Sequence, residues 1–283
     1  MATFFNQATL SYNGNVVNSN ITMGELLEVL SATKTAVVDT YSRNSEVTYI
    51  INIVNSGSIA YNNLTVTDDL GTYTFGAAEL VPLDFVDGSV RYFVNGVLQP
   101  APTVTAGAPL VITGINVPAG GVATVVYAAE TNSFAPLGDS SSIVNTAVVS
   151  GAGISDITVS ETITPENTAN LTITKSLNPT TVTENGQLTY TFVIQNTGSE
   201  AVAATDNAIV TDTFNPSLNI TGVTFNGTAW TSPANYTYSE ATGAFATNAG
   251  QITVPAATYT QNTDGTWTIQ PGVSTLTVTG TII

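Results

Sequence analysis

The sequence predicts an all-β protein made of two tandem Ig-like antiparallel β-sandwiches. The chain has 283 residues, of which 43% are hydrophobic and 8% charged, and it is rich in Thr and Val, which favour strands. Short runs of alternating polar and apolar residues are separated by Asn-Gly, Asp-Gly and Pro-Gly turns, as in antiparallel sandwiches. One long segment is also repeated, which indicates two copies of the same domain.

Four short motifs recur in the same order in both halves of the chain. They are a lysine between two hydroxyl residues, a run that ends in Thr-Tyr, an Asn-x-Gly-Ser turn and a Val-Thr-Asp strand end. The first copy has them at Lys34, 46–49, 55–58 and 66–68, and the second at Lys175, 187–190, 196–199 and 210–212. We therefore place domain 1 at residues 15–160 and domain 2 at residues 161–283, with 151–170 as the connection.

The first fourteen residues, 1–14, are predicted to form a separate strand. A similar string, 143–150, closes domain 1, whereas domain 2 ends without such a closing strand. Asn145 precedes Lys175 by nearly the same interval as Asn6 precedes Lys34. We expect the N-terminal strand to leave its own molecule and complete domain 2 of a neighbouring copy. The stretch 24–30 is compatible with either a helical turn or a strand.

Several polar residues fall on apolar strand faces. The chain has two lysines, Lys34 and Lys175, and strand alternation directs both towards the sandwich core. The same alternation directs Asp68, Asp212 and Asn145 inward. Burying any one of these groups alone costs several kcal/mol. They are therefore expected to meet one another.

A lysine, an acid and an asparagine that meet in a dry core can form an isopeptide bond without an enzyme. Desolvation favours the neutral amine, which can attack the Asn side-chain carbonyl while the acid shuttles protons. We assign Lys34, Asp68 and Asn145 to a bond within one molecule. For domain 2 we assign Lys175 and Asp212, with Asn6 supplied by a neighbour. The alternative is a buried Lys–Asp ion pair with the Asn as a hydrogen-bond partner.

Composition excludes several classes of site. The chain has no cysteine and no histidine, which rules out disulfides, thiolate or imidazole metal sites and Ser–His or Cys–His catalysis. A formal net charge of −16 argues against binding to nucleic acid or to an anionic membrane. No basic and apolar leader and no stretch of transmembrane length are visible. We therefore predict a non-enzymatic protein without metal or cofactor.

Two alternative functions have candidate residues. Four aromatic residues are predicted to be exposed and could line a sugar-binding platform of an adhesin or carbohydrate-binding module: Trp230, Tyr236, Tyr238 and Trp267. The acid pairs Asp68–Asp69 and Asp84–Asp87 could serve a hydrolase or bind Ca²⁺. In both cases, residues of a strand face, a turn or the surface are the simpler interpretation.

The motifs of the second copy carry a family resemblance. Residues 171–175, followed by Leu-Thr-Tyr, Asn-Thr-Gly and Val-Thr-Asp, together with the Asn145-Thr-Ala ending, resemble the "conserved repeat" β-sandwich domains (domain of unknown function 11) of bacterial and archaeal surface proteins. The size of the chain and the missing leader are similar to those of the structural proteins of clostridial endospore appendages. The resemblance implies an extracellular or spore-surface fibre that is built inside the mother cell from copies of this chain, with other fibre or spore-coat proteins as further partners.

Overall fold

The computed structural model describes residues 2–26, 28–138 and 140–283. These residues contain many β-strands, and their single helical element is a 3-10 turn at Ala204–Asp206. The predicted all-β class is confirmed. The chain divides into unit 1, which ends at Thr164, and unit 2, which comprises Pro165–Ile283 and a short piece around Leu137.

The strands are numbered in chain order. Those of unit 1 are β1 (Ala2–Asn6), β2 (Thr9–Tyr12), β3 (Asn15–Asn18), β4 (Thr22–Leu26), β5 (Leu30–Ala36), β6 (Thr40–Tyr41), β7 (Glu46–Asn55), β8 (Tyr61–Asp68), β9 (Tyr73–Phe75), β10 (Ala78–Leu80), β11 (Leu83–Phe85), β12 (Arg91–Val94), β13 (Val97–Leu98), β14 (Thr103–Thr105), β15 (Leu110–Val117), β16 (Val122–Thr131), β17 (Ile143–Ser150) and β18 (Ile157–Pro165). Those of unit 2 are β19 (Leu171–Asn178), β20 (Gln187–Asn196), β21 (Thr211–Thr213), β22 (Leu218–Phe225), β23 (Thr228–Trp230), β24 (Tyr236–Ser239), β25 (Ala244–Thr247), β26 (Thr258–Gln261), β27 (Trp267–Gln270) and β28 (Gly272–Ile282).

Unit 1 is built on two six-stranded sheets. Sheet A has the order β13-β12-β16-β7-β5, with β11 also paired to β16, and sheet B has the order β14-β15-β8-β17-β18-β6. The strands alternate as the sequence predicts: in β7 every second residue from Val47 to Asn55 is buried. The core lies between the sheets and includes Tyr49, Ile51 and Ile53 of sheet A and Leu64, Val66, Ile112, Ala147 and Val149 of sheet B.

The N-terminal residues form a hairpin rather than one strand. β1 pairs with β4 and β2 pairs with β3, around a tight turn at Asn13 and Gly14. Both turn residues have positive φ, 47° and 75°, as a two-residue hairpin turn requires. The predicted continuous strand 1–14 is therefore interrupted at Gln7 and Ala8 and forms only half of a longer element. Within the stretch 24–30, for which the sequence allows a helical turn or a strand, β4 is a strand, and Leu27 lies outside the described residues.

Unit 2 has a smaller set of sheets. Sheet C has the order β19-β20-β28-β22-β23, sheet D has the order β21-β25-β24, and β26 pairs with β27. Its core is aromatic and aliphatic, with Phe192, Phe214, Phe225, Phe245, Leu276 and Val278 among the buried residues. The predicted domain boundary at 160 lies inside β18, because residues 157–165 form a strand where the sequence analysis places only a connection.

Candidate functional site

A buried lysine–aspartate pair joins the two sheets of unit 1. Lys34 lies on β5 of sheet A, on the same face as Leu30, Ala32 and Ala36, so its side chain enters the core. It is 4% exposed, and Asp68 of sheet B is fully buried. The Lys34 Nζ donates a hydrogen bond to Asp68 Oδ2 over 2.6 Å. Lys34 and Asp68 are both buried, as the strand alternation in the sequence predicts.

Tyr127 connects this pair to Asn145. Its hydroxyl donates to Asp68 Oδ2 over 2.6 Å and accepts a hydrogen bond from Asn145 Nδ2 over 3.0 Å. Asn145 lies on β17, two residues before Ala147, which pairs directly with Asp68 on β8. The structure therefore brings Lys34, Asp68 and Asn145 into one buried cluster, as the sequence predicts, and adds a tyrosine at its centre.

The hydrogen bonding around the cluster is incomplete at two atoms. The second carboxylate oxygen of Asp68 accepts a hydrogen bond from the backbone amide of Leu70 over 3.0 Å. The Asn145 carbonyl oxygen and the hydroxyl of the neighbouring Tyr49, in contrast, are buried and have no hydrogen-bond partner among the described residues. A buried acceptor without a partner costs about 1–3 kcal/mol. The Asn145 carbonyl oxygen is therefore free to accept a further hydrogen bond.

Burial controls the protonation of the cluster. Desolvation lowers the pKa of Lys34, and the attraction to Asp68 offsets only part of that effect. Desolvation also raises the pKa of Tyr127 and of Tyr49, so both phenols stay protonated at neutral pH. The two tyrosine rings stack with centroids 5.5 Å apart, and the Tyr49 ring centroid lies 5.0 Å from Lys34 Nζ. Desolvation in these surroundings disfavours the charged amine, whereas the two ring faces and Asp68 favour it.

Unit 2 repeats the ion pair in a more open form. Lys175 Nζ donates to Asp212 Oδ2, and the lysine lies 4.3 Å from the centroid of the Tyr190 ring and 5.3 Å from that of Phe214. The side chain of Lys175 is 38% exposed and that of Asp212 is 17% exposed, whereas both partners in unit 1 are fully buried. The prediction that both lysines enter a core therefore holds fully only for the first.

The extra exposure in unit 2 follows from the sheet order. In unit 1, Asp68 lies on β8, which has β15 on one side and β17 on the other. In unit 2, Asp212 lies on β21, which pairs with β25 on one side and is an edge strand of sheet D among the described residues. Within the described part of the chain, no strand lies beside β21 in the way that β17 lies beside β8. Asn6 lies on β1, and its side chain is exposed.

Two residues of the cluster, Tyr49 and Tyr127, are not predicted from the sequence. They lie directly opposite each other on β7 and β16, although they are far apart along the chain. A signal exists for Tyr49, because it belongs to a repeated motif and corresponds to Tyr190. No repeated motif marks Tyr127, because its counterpart in unit 2, the residue opposite Tyr190, is Val278.

The aromatic residues of the carbohydrate hypothesis do not form an exposed platform. Tyr236 is buried, which corrects the prediction that it is exposed, and it packs against Phe245 with ring centroids 5.3 Å apart. Trp230 stacks on Phe225, 4.9 Å between centroids. Tyr238 and Trp267 are partly buried. These side chains mainly contribute to the packing of unit 2.

The acid pairs of the hydrolase hypothesis have structural partners. Asp69 accepts hydrogen bonds from the backbone amides of Gly71 and Thr146, and Asp84 accepts one from the Asn132 side chain. In the described part of the chain, no group of three or more acidic side chains is placed to hold a metal ion. Nor does any helix there have the length and hydropathy needed to cross a membrane.

Comparisons with known proteins give only distant structural matches. The chain is similar to the collagen-binding domain of a Staphylococcus aureus adhesin (12% identity, 49% of this chain and 99% of that one, TM-score 0.30). It is also similar to BcpA, the major pilin subunit of Bacillus cereus (12%, 95% and 73%, 0.35), and to the pilus backbone RrgB of Streptococcus pneumoniae (14%, 86% and 55%, 0.35). No family model and no curated protein sequence matches.

Proposed function

We propose that this chain is the structural subunit of a surface fibre, assembled head to tail by strand donation and locked by Lys–Asn isopeptide bonds. The observation that carries the proposal is the pair of equivalent clusters. Unit 1 contains Lys34, Asp68 and Asn145 together, whereas unit 2 contains the lysine and the acid at an open sheet edge. The missing asparagine has a counterpart, Asn6, on the N-terminal hairpin.

The reaction within unit 1 begins with a proton transfer. The Lys34 ammonium gives a proton to the Asp68 carboxylate across their 2.6 Å hydrogen bond, which leaves a neutral amine and a neutral acid. Desolvation lowers the pKa of Lys34 and so favours its neutral amine. The acid then supplies a hydrogen bond to the Asn145 carbonyl oxygen, which is otherwise unpaired. That hydrogen bond polarises the carbonyl for attack.

Bond formation releases ammonia. The Lys34 nitrogen attacks Asn145 Cγ, and the Cγ–Nδ2 bond breaks as a new Cγ–Nζ amide forms. Asp68 accepts a proton from the attacking nitrogen and passes it to the leaving nitrogen, so the carboxyl group is regenerated. Nothing is oxidised or reduced, and no cofactor is needed. Rigid placement in the folded core supplies the effective concentration that the uncatalysed reaction lacks.

The same chemistry between molecules gives a fibre. Asn6 of one copy enters unit 2 of the next and reacts with Lys175, with Asp212 as the acid. Strand addition to an open edge is a common mode of protein association, and a head-to-tail contact that does not close on itself propagates into a filament. We place the fibre on the cell or spore surface, in keeping with the resemblance to endospore appendages, with other fibre or spore-coat proteins as additional partners.

Mass spectrometry of assembled protein tests the proposal. Material boiled in SDS is expected to give a ladder of covalent multimers, and its digest a peptide in which Asn6 is linked to Lys175. A second linked peptide, Lys34 to Asn145, is expected in every subunit. Each bond lowers the mass by about 17 Da, the mass of ammonia. Monomers alone, with both side chains of each pair intact, contradict the proposal.

Tyr127→Phe is expected to slow formation of the Lys34–Asn145 bond by about 100-fold, because the hydroxyl that holds both Asp68 and the Asn145 amide is lost. The rate is measured as the loss of ammonia mass with time after refolding. Tyr41→Phe is the matched control, since the Tyr41 hydroxyl is also buried but donates to the Pro136 carbonyl. If the Tyr127→Phe chain reacts as fast as the control, Tyr127 does not position the reacting groups.

A further inference from the structure

The N-terminal hairpin repeats the pairing of β17 and β18. On β17, Asn145 pairs with Glu161, and on β1, Asn6 pairs with Thr22. The sequence interval between the two paired residues is identical in both cases. Beyond the interruption at Gln7 and Ala8, the register between β2 and β3 is shifted by one residue relative to the register between β1 and β4. The hairpin that contains Asn6 therefore has the same strand pairing around the reactive asparagine as the hairpin that contains Asn145.

The side chains next to the asparagine differ between the two hairpins. In unit 1, Ile143 pairs with Ile163, and both are buried in the core. The corresponding pair in the N-terminal hairpin is Phe4 and Gly24. The Phe4 ring lies over Gly24 so closely that a Cβ added there would be 2.4 Å from Phe4 Cζ. One large ring over a glycine thus takes the place of two isoleucines, a known way of covering a glycine in a sheet.

We propose that a second copy of this chain donates the whole hairpin 2–26, and not a single strand, to unit 2. This inference rests on the proposed function and specifies its donor. β1 takes the position of β17 beside β21, and β4 takes the position of β18. Unit 1 serves as the template for the complex, because β17 and β18 pair around Asn145 in the same register as β1 and β4 pair around Asn6.

The acceptor has exposed apolar residues where the second strand of the hairpin belongs. In unit 1, Leu30 and Ala32 line one side of a groove of about 400 Å³, and residues 153–159 at the start of β18 line the other. The counterparts of these two residues on β19 are Leu171 and Ile173, which are 41% and 54% exposed. A single donated strand would leave them in water, whereas β4 and the residues before it would cover them.

The outer edge of the template supplies an atomic contact to test. In unit 1 the backbone amide of Thr164 donates to the carbonyl of Asp39 over 2.9 Å, which joins β18 to the segment before β6. Glu25 has the same place relative to Asn6 as Thr164 has relative to the asparagine of unit 1. Thr180 has the same place relative to the lysine of unit 2 as Asp39 has relative to that of unit 1. Glu25 of the donor is therefore expected opposite Thr180 of the acceptor.

Cysteine cross-linking tests this contact in the full chain, which has no cysteine of its own. The double variant Glu25→Cys/Thr180→Cys is assembled, oxidised, digested without reductant and searched for a disulfide between residues 25 and 180 of different subunits. The control, Glu25→Cys/Thr260→Cys, places the second thiol on an exposed residue of β26, in another sheet, and is expected to give no disulfide. A linked 25–180 peptide supports hairpin donation. If the Asn6–Lys175 bond forms while both thiols stay free, hairpin donation is wrong and the proposed fibre still stands. If the native chain forms no Asn6–Lys175 bond, both proposals are wrong.

A second measurement uses the pair Phe4 and Gly24. Gly24→Ile is expected to reduce the yield of covalent multimers about tenfold, because the new side chain collides with the Phe4 ring. Phe4→Ile/Gly24→Ile restores the pair found in unit 1 and is expected to recover the native yield. Unit 1 is expected to form its Lys34–Asn145 bond equally in all three chains. Native yield from Gly24→Ile, or no recovery in the double variant, contradicts the inference.

Discussion

Asn145→Leu is expected to lower the unfolding temperature of unit 1 by roughly 10–20 °C, the largest stability change that we predict. The proposed bond from Lys34 to Asn145 would close a loop that includes most of unit 1. By analogy with disulfides, a loop of about 100 residues contributes about 5 kcal/mol, and in a domain of this size each kcal/mol is worth about 2–4 °C. Scanning calorimetry measures the shift, and the intact mass reports the absence of the bond.

A double-mutant cycle separates the bond from ordinary packing. Lys34→Met removes the same bond from its other end, and the double variant Lys34→Met/Asn145→Leu removes both partners. If the residues act through one covalent bond, the losses of the two single variants overlap, and the double variant is little worse than either. A native chain whose mass shows no release of ammonia indicates a non-covalent ion pair instead.

Assembly is expected to stop completely when either end of the intermolecular bond is removed. Asn6→Ala leaves a chain that can accept but not donate, and Lys175→Met leaves one that can donate but not accept. Each variant alone is expected to run as a monomer in SDS, where the native chain gives a ladder. A mixture of the two is expected to give a covalent dimer and no larger species, because both free ends of that dimer carry the mutation.

The mixing experiment has a matched control and two results that would contradict it. Asn20→Ala, which changes another exposed asparagine of the N-terminal hairpin, is expected to give the native ladder. A ladder from Asn6→Ala or from Lys175→Met alone excludes these residues as the bonded pair. Multimers beyond the dimer in the mixture indicate a second covalent contact that the two clusters do not explain. SDS gels of the four samples distinguish these results.

Strand alternation in the sequence is enough to predict the polar core of unit 1. Because side chains on a strand alternate between its faces, residues within a few positions of Lys34, Asp68 and Asn145 determine which way each points. The repeat then aligns Lys175 and Asp212 with the first cluster. The strand Ile143–Ser150 is also predictable, since Ile143, Ala147 and Val149 fall on the same face as Asn145.

Other features depend on contacts between distant strands. Tyr127 joins the cluster only because β16 pairs with β7 in the register that places it opposite Tyr49. The strand β18 alternates at Ile157, Val159 and Ile163, but its position between the two repeats makes it look like a connection, and only its pairing with β17 identifies it as part of a sheet. The greater exposure of Lys175 likewise follows from the edge position of β21 and not from any residue near the lysine.

The sequence by itself determined the all-β class, the two repeats and the inward direction of Lys34, Asp68 and Asn145, because these depend on local patterns along the chain. Only the tertiary structure decided which of these side chains meet, which tyrosines surround them and that the N-terminal residues form a hairpin. Pairing registers are selected by the packing of whole sheets. No short stretch of sequence contains that information.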